Sequence, residues 1–393
     1  MRLAFVQYGD MRETLERMDE GLPETYRAQH YSVNYALSLR ERAERVSVIC
    51  VYAPRYQDES HGLSLYGLKY HGPDGWPPLR DALAAEKPTH IILRTPILEV
   101  FAWAKQHGAK ILPNFADSFI MPGWSPRAIK NRLFTRRLAR ILNGDDIDVV
   151  TNHNVAACRD LVRIGVNGDK VMPWDWPSAK TPADFAPKTL ATDARHQLVY
   201  VGMVCEEKGV GDLIRAYGES AFLREMTELT VVGGGDLAPF EAAAAKAGAA
   251  EHIHFTGLVP NAEVFAKMRE AQLVLVPSRH DYSEGLPGTI YEALTVRTPI
   301  VMSDHPMFKA YLKEGDGIRF APERDPAALA QIIEAALSDA DGYAQLSEQT
   351  ASAFDRILCP TQWHEVIDHW LTGDAEGYLA RHKGVWQEAL PAA

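Results

Sequence analysis

The sequence predicts an α/β protein built from two doubly wound domains. Three observations predict it. Short apolar runs rich in Val and Ile alternate with segments of helical spacing along most of the 393 residues. That alternation is the signature of βαβ units and a parallel sheet covered on both faces. It is interrupted once, by "WPSAKTPADFAPKTLATDAR", a stretch rich in Pro, Ala and Thr with no period, after which it begins again. The length suits two domains at roughly 100–200 residues each.

The first half opens with "RLAFVQYG", an apolar run ended by Gly9 and read as a buried strand. "SVNYALSLRERAE" follows with helical spacing, then "RVSVICVYA" as a second strand. "THIILRTP" and "AKILPNFAD" are the next two strands, with the helical "VFAWAKQHGA" between them. "DIDVVTNH" and "DKVMPWDW" complete the half, and the Trp residues of "WDW" read as packing rather than as a sugar platform. The expected boundaries are 1–178 for the first domain, 179–195 for a linker and 196–358 for the second domain, with helices over 359–393 returning toward the first.

In the second half, strands "HQLVYVGMV", "ELTVVGGGD", "HIHFTGLV", "QLVLVPS" and "TPIVMSD" alternate with helices "GVGDLIRAYGES", "LAPFEAAAAKAGA", "NAEVFAKMREA", "PGTIYEALTV" and "DPAALAQIIEAALSD". The last helix opens on Asp-Pro, a cap followed by Pro in the first turn. The glycines of "VVGGGD" suit a structural turn better than a phosphate cradle, because the full dinucleotide fingerprint is missing. In open α/β sheets ligands lie beyond the carboxyl ends of the strands, so a two-domain chain of this kind is expected to bind in the cleft between its domains.

Composition narrows the function. Apolar residues make up 46% and charged residues 24%, a globular balance, and the net charge of −11 argues against general nucleic-acid binding. Four scattered cysteines, with no C-x-x-C pair, fit a reducing compartment and neither a disulfide framework nor a zinc knuckle. The N-terminal apolar run is too short for a signal peptide, and no stretch approaches the roughly 20 apolar residues of a membrane span. A cytoplasmic protein is expected. Against this acidic background "WSPRAIKNRLFTRRLARIL" carries six cations and no acid. Peripheral contact of 124–142 with an anionic membrane face is one expectation for it; a solvated basic helix, or one facing an anionic acceptor, is another.

The chemistry-bearing stretch is "HDYSEGLPGTIYEAL". Glu284 and Glu292 are separated by seven residues that include a Gly-Leu-Pro-Gly turn. Pro287 and the two glycines forbid a helix there, so one should begin at Gly288 or Thr289, presenting its amide-rich end to an anion. The glutamates suit sugar hydroxyls, which donate strong hydrogen bonds to carboxylates. Alone, such a pair is more often a solvated helix start.

The context is more specific. "LVYVGMVCEEKGVGDLIRAY", "ELTVVGGGD", "HIHFTGLVPNAEVFAKMREAQLVLVPSRHDYSEGLPGTIYEAL" and "TPIVMSDHPMF" occur in the order found in retaining glycosyltransferases of family 4, which this half resembles. The resemblance implies the GT-B fold of two Rossmann-like domains facing a cleft. It implies transfer of a sugar from a UDP- or GDP-sugar to a glycan or lipid-linked acceptor, in polysaccharide, glycolipid or glycoconjugate synthesis, with no metal or other cofactor needed. By the same resemblance Glu284, Lys208 and Asp117 are the expected catalytic residues. Glu292 would hold the ribose, and Gly285, Leu286, Gly288 and Thr289 the sugar and phosphates. Gly257, Leu258 and Val259 would meet the base, and Gly9 and Met203 the diphosphate. Two departures stand out: Met203 occupies the place of a usual Arg, with Arg279 or Arg94 as candidate substitutes, and Ala116 occupies the place of a usual His. They leave room for a non-catalytic nucleotide-sugar or glycan binder. A nicotinamide oxidoreductase is disfavoured, since "AFVQYGDM" lacks the glycine fingerprint. "SDHPMF" replaces the family's glycine-rich loop and offers His305 to the cleft, whereas His280 and Asp281 read as surface loop.

Overall fold

Eight strands form the first sheet: β1 (Arg2–Gln7), β2 (Arg45–Cys50), β3 (Tyr56–Ser60), β4 (Leu63–Gly67), β5 (His90–Leu93), β6 (Lys110–Phe115), β7 (Val150–His153) and β8 (Val171–Trp174). Their order is β3-β4-β2-β1-β5-β6-β7-β8. All pairs are parallel except β3 with β4. Six strands form the second: β9 (His196–Val201), β10 (Thr227–Val232), β11 (Ile253–Gly257), β12 (Leu273–Val276), β13 (Ile300–Ser303) and β14 (Ile318–Ala321). They lie in the order β11-β10-β9-β12-β13-β14, all parallel. The computed structural model describes the chain apart from residues 23, 25–27, 71–74, 122, 124, 179, 192–194, 283–285 and 385–393.

The chain divides into two units: Met1–Pro177 with Cys359–Ala393, and Ser178–Leu358. Within the second, order reverses between β9 and β12, the topological switch point at which open α/β sheets bind ligands. Its central strands are buried on both faces; Leu198, Val199, Leu273 and Val274 are all at most 1% exposed. That burial is why they read as unbroken apolar runs. The residues read as a linker group with this unit, and Lys188 within them donates to the carbonyls of Met268 and Ala271.

In the first unit the returning segment adds the helix Trp363–Leu371, whose buried Trp363 donates from Nε1 to Asn114 Oδ1 at 2.6 Å. Tyr35 donates to Asp368 at 2.8 Å. Trp174, Trp176 and Trp363 pack with ring centroids 5.0–6.4 Å apart, so the "WDW" tryptophans fill core within this unit. The basic stretch folds as the helix Pro126–Leu142, capped by Ser125. It buries Ala128, Thr135, Leu138, Ala139 and Leu142 and leaves Ile129 and Leu133 exposed. Among the described residues no helix is long and apolar enough to cross a membrane.

Three strands escape the pattern reading. β3 is the polar "YQDES", with its middle exposed at the sheet edge, and β4 pairs with it in a hairpin. β14 is four residues long, with Arg319 and Phe320 half-buried.

Candidate functional site

The second unit gathers its candidate residues where its strands end. β9 runs into Gly202 and Met203, and the backbones there are stitched together: Gly202 N donates to Val232 O, Val204 N to Gly234 O, and Gly233 N to Gly257 O. The approach is too close for side chains. A Cβ on Gly233 would lie 1.7 Å from the carbonyl oxygen of Gly202. Gly233, and Gly235, where a Cβ would lie 2.5 Å from Val204 O, are therefore a structural necessity, in agreement with the reading of this stretch as a turn. They also leave Gly257 and the exposed Leu258 beside the same strand ends.

Lys208 is set by its neighbour. Gly209 has φ +77°, and a Cβ there would meet the Pro277 carbonyl oxygen at 2.1 Å. Only glycine lets this turn press against the residue that follows β12. Lys208, half-buried, has its Nζ 4.4 Å from the centre of the Tyr282 ring. The helix Gly288–Thr295 begins after Pro287, and among the described residues no side chain caps it. Thr289 Oγ1 donates to Val201 O at 3.2 Å, which fixes the helix opening against the end of β9. Glu292, on the same helix, accepts at Oε1 from Asn261 Nδ2 at 3.2 Å. Asn261 starts the helix that follows Gly257, Leu258, Val259 and Pro260, so Glu292 stands beside the segment expected to meet a base. Leu286 is buried and Gly288 exposed; Glu284 and Gly285 lie outside the described residues.

Two sequence expectations change, those for Arg279 and His305. Arg279 is no spare cation for a diphosphate: its Nε donates to Asp212 at 2.9 Å and its Nη2 to Glu206 at 2.8 Å, with Asp212 buried. Arg215 also pairs with Asp212, so Arg279 belongs to a local cluster of two cations and two carboxylates. Arg94, in the first unit, lies over the rings of Trp176 and Trp363, at 5.5 and 5.1 Å. His305 is 6% exposed and caps the short helix Pro306–Lys309, with Nδ1 accepting from Met307 N. Met203 itself is 50% exposed. His280 pairs with Asp304 and Glu323 on the surface, at 3.0 and 3.3 Å.

The first unit carries a second cluster at the carboxyl ends of β1 and β6. A cavity of about 110 Å³ is lined by Gly9, Asp10, Arg94 and Ala116, among others. Asp117 follows Ala116. Its backbone is clamped by the buried Asn152, which accepts from Asp117 N and donates to Asp117 O. Tyr8 donates to both its carboxylate oxygens, at 3.0 and 3.2 Å. Burial pushes the Asp117 carboxyl up to about 6, while the Tyr8 hydroxyl and the Arg94 guanidinium pull the other way. Tyr8 and Asn261 were invisible as site residues in the sequence, because each meets its partner across a long stretch of chain.

The raised Asp117 value gives a testable sign. The folded state holds this proton more tightly than the unfolded chain, whose carboxyl titrates near 4. The group's contribution to stability is full below pH ~4 and is lost as pH rises through about 6. Asp117→Asn keeps an acceptor for Tyr8 and cannot ionise. Relative to wild type it is expected to gain on the order of 2–3 kcal/mol between pH 4 and pH 7.5, at about 1.4 kcal/mol per unit. Urea unfolding at the two pH values measures it, and a difference that stays constant with pH contradicts it.

Known proteins are similar to parts of this chain in sequence and to nearly all of it in fold. Residues 183–353 match the family model "Glycosyl transferases group 1". The 2-deoxystreptamine glucosyltransferase of Streptomyces kanamyceticus is 38% identical over 102 residues, 26% of each chain. The phosphatidyl-myo-inositol mannosyltransferase of Mycobacterium leprae is 33% identical over 176 residues, 44% of this chain and 46% of that one. The chain thus spans less than half the length of these curated relatives. Among solved structures, Anabaena Alr3699/HepE in complex with UDP superposes with a TM-score of 0.66 at 12% identity, covering 96% of this chain and 100% of that one. Sucrose-phosphate synthase from Thermosynechococcus elongatus gives 0.66 at 16% identity, covering 97% and 100%. The fold is GT-B, and residues 183–353, most of the second unit, are similar to the glycosyl transferases group 1 family.

Proposed function

We propose that the protein transfers a sugar from a nucleoside-diphosphate sugar to an acceptor hydroxyl, with retention of configuration, in the synthesis of a polysaccharide or glycolipid. One observation carries this reading: the start of a helix opens against the end of β9 with Glu292 beside Gly257–Val259 and Lys208 at the neighbouring strand end. A helix end takes phosphate, a carboxylate takes ribose hydroxyls, and an ammonium takes the charge that grows on the leaving diphosphate. The names of the relatives, a glucosyltransferase and a mannosyltransferase, support transfer of a hexose. Solved neighbours crystallised with UDP and UDP-glucose support a UDP-sugar as donor.

In this reading the second unit binds donor and the first binds acceptor. Asp117 serves the acceptor side. The bond from the anomeric carbon to the phosphate oxygen breaks as the acceptor oxygen bonds to the same face, and the acceptor proton passes to the departing phosphate. Lys208, rather than a metal ion, meets that phosphate. Nucleoside diphosphate release tests the reading: Glu284→Ala should abolish it, since the donor sugar's hydroxyls lose their carboxylate. Full activity of Glu284→Ala, or activity lost on chelation and restored by a divalent metal, would count against it.

Met203, exposed where a second cation is expected, favours one other reading, binding of a nucleotide sugar or glycan without turnover. Tight binding with no release from any donor would select it. The exposed Ile129 and Leu133, set among the cations of their helix, suit an anionic bilayer as a further partner. Vesicle flotation tests that contact, and absence of co-flotation with anionic lipid ends it.

A further inference from the structure

The first unit holds a larger cavity, which shares no lining residue with the cavity at Gly9. It is about 660 Å³ and lies between the helices Leu98–His107 and Pro126–Leu142. Its lining includes Gly108, Ala109 and Lys110 at the amino end of β6, and Asp146 and Ile147 just before β7. Gly9 and Asp117 follow the carboxyl ends of β1 and β6, at the opposite edge. The volume falls within the roughly 300–1,000 Å³ of small-ligand sites.

Small residues create the space. Ala102, Gly108, Ala109 and Gly144 line it, where larger side chains would close a helix-to-helix contact to normal packing density. Phe101, Ile111 and Ile141 supply an apolar wall.

The mouth is charged. Lys105, Lys110, Arg137 and Arg140 line it, against Glu99 and Asp146. Lys105 pairs with Asp146, whereas Arg137 and Arg140 make no ion pair among the described residues. Two helices end here, at Gly108 and Asn143, each adding roughly half a negative charge. Asp145 acts on Lys105 as well, and the Lys170 ammonium caps the carbonyls of Asn143, Gly144 and Ile147, so five cations face about four negative charges, leaving a surplus of about one. An apolar chamber with one surplus positive charge at its mouth matches a ligand with one negative charge and an apolar tail. It matches neither a neutral lipid nor a nucleotide with several charges.

We propose that this cavity binds a single-chain anionic amphiphile, an alkyl phosphate or long-chain carboxylate. The tail lies against Phe101, Ile111 and Ile141, and the headgroup lies on Arg137 and Arg140. The site is separate from the sugar-nucleotide reading and does not rest on it.

Calorimetric titration of the full chain with dodecyl phosphate, below its micelle concentration, tests this. Wild type is expected to bind one equivalent. Ala102→Trp fills the chamber from an exposed position, and Arg137→Glu with Arg140→Glu reverses the mouth; each should weaken binding at least tenfold. Dodecanol should bind at least tenfold more weakly, and neither inorganic phosphate nor UDP should compete. Unchanged binding by Ala102→Trp overturns the proposal, as does equal affinity for dodecanol or full competition by phosphate or UDP. Should Ala102→Trp lower the melting temperature, the double arginine variant decides, since both side chains are exposed.

Discussion

Lys208→Ala is expected to lower sugar transfer by 10²–10³-fold while leaving the protein folded. The rate effect is the size seen when one preorganised donor to a developing negative charge is removed, roughly 2.7–4 kcal/mol. The structural effect is much smaller. Lys208 is half-buried, and its contact with the Tyr282 ring is worth about 0.5–1 kcal/mol. The two effects are far enough apart to separate. Initial rates of nucleoside diphosphate release at saturating donor read the first, and the melting temperature reads the second. Arg279 cannot compensate, because Asp212 and Glu206 already hold it. A Lys208→Ala enzyme with wild-type rate would remove the proposed partner of the leaving group.

Gly233→Ala should cost about 4 kcal/mol or more, among the largest effects of any single methyl in the second unit. The added Cβ would sit 1.7 Å from the Gly202 carbonyl oxygen and 2.8 Å from its carbon. Neither backbone can easily retreat: Gly202 N is bonded to Val232 O, and Gly233 N to Gly257 O. A φ of +151° adds strain for any residue with a side chain. Gly248 provides the control. Its φ is +69°, but nothing lies within 4 Å of the place an added methyl would take, so Gly248→Ala should cost only about 1–2 kcal/mol. Denaturant midpoints of the two variants measure the contrast. Equal midpoints would mean that the strand ends are not packed as described.

Much of this was legible in the chain because parallel strands buried on both faces leave long Val- and Ile-rich runs. The strands β1, β2, β5 to β8 and β9 to β13 all announce themselves in that way. β3 does not, because an edge strand in a hairpin needs no apolar face. The opening of the helix at Gly288 was legible too, since Pro287 can precede a helix but not continue one. What stayed hidden were pairings across distance. Asn261 reaches Glu292 over 31 positions. Arg279 is taken by Asp212 and Glu206, 67 and 73 positions away, so a cation that looked available in sequence is already neutralised. Tyr8 meets Asp117 over 109 positions, and no local spacing encodes that contact. Charge identity is written in sequence, whereas charge availability is decided by tertiary neighbours.

The central claim is that Glu292 and the helix it rides on form a nucleotide site. Titration calorimetry with UDP, GDP and ADP, on wild type and on Glu292→Ala, tests it most directly. Wild type should bind at least one of the three, and Glu292→Ala should weaken that binding by about tenfold or more, the loss of hydrogen bonds to a charged acceptor worth roughly 1.5–3 kcal/mol. No binding of any nucleoside diphosphate by wild type, or identical affinity in the variant, would contradict it.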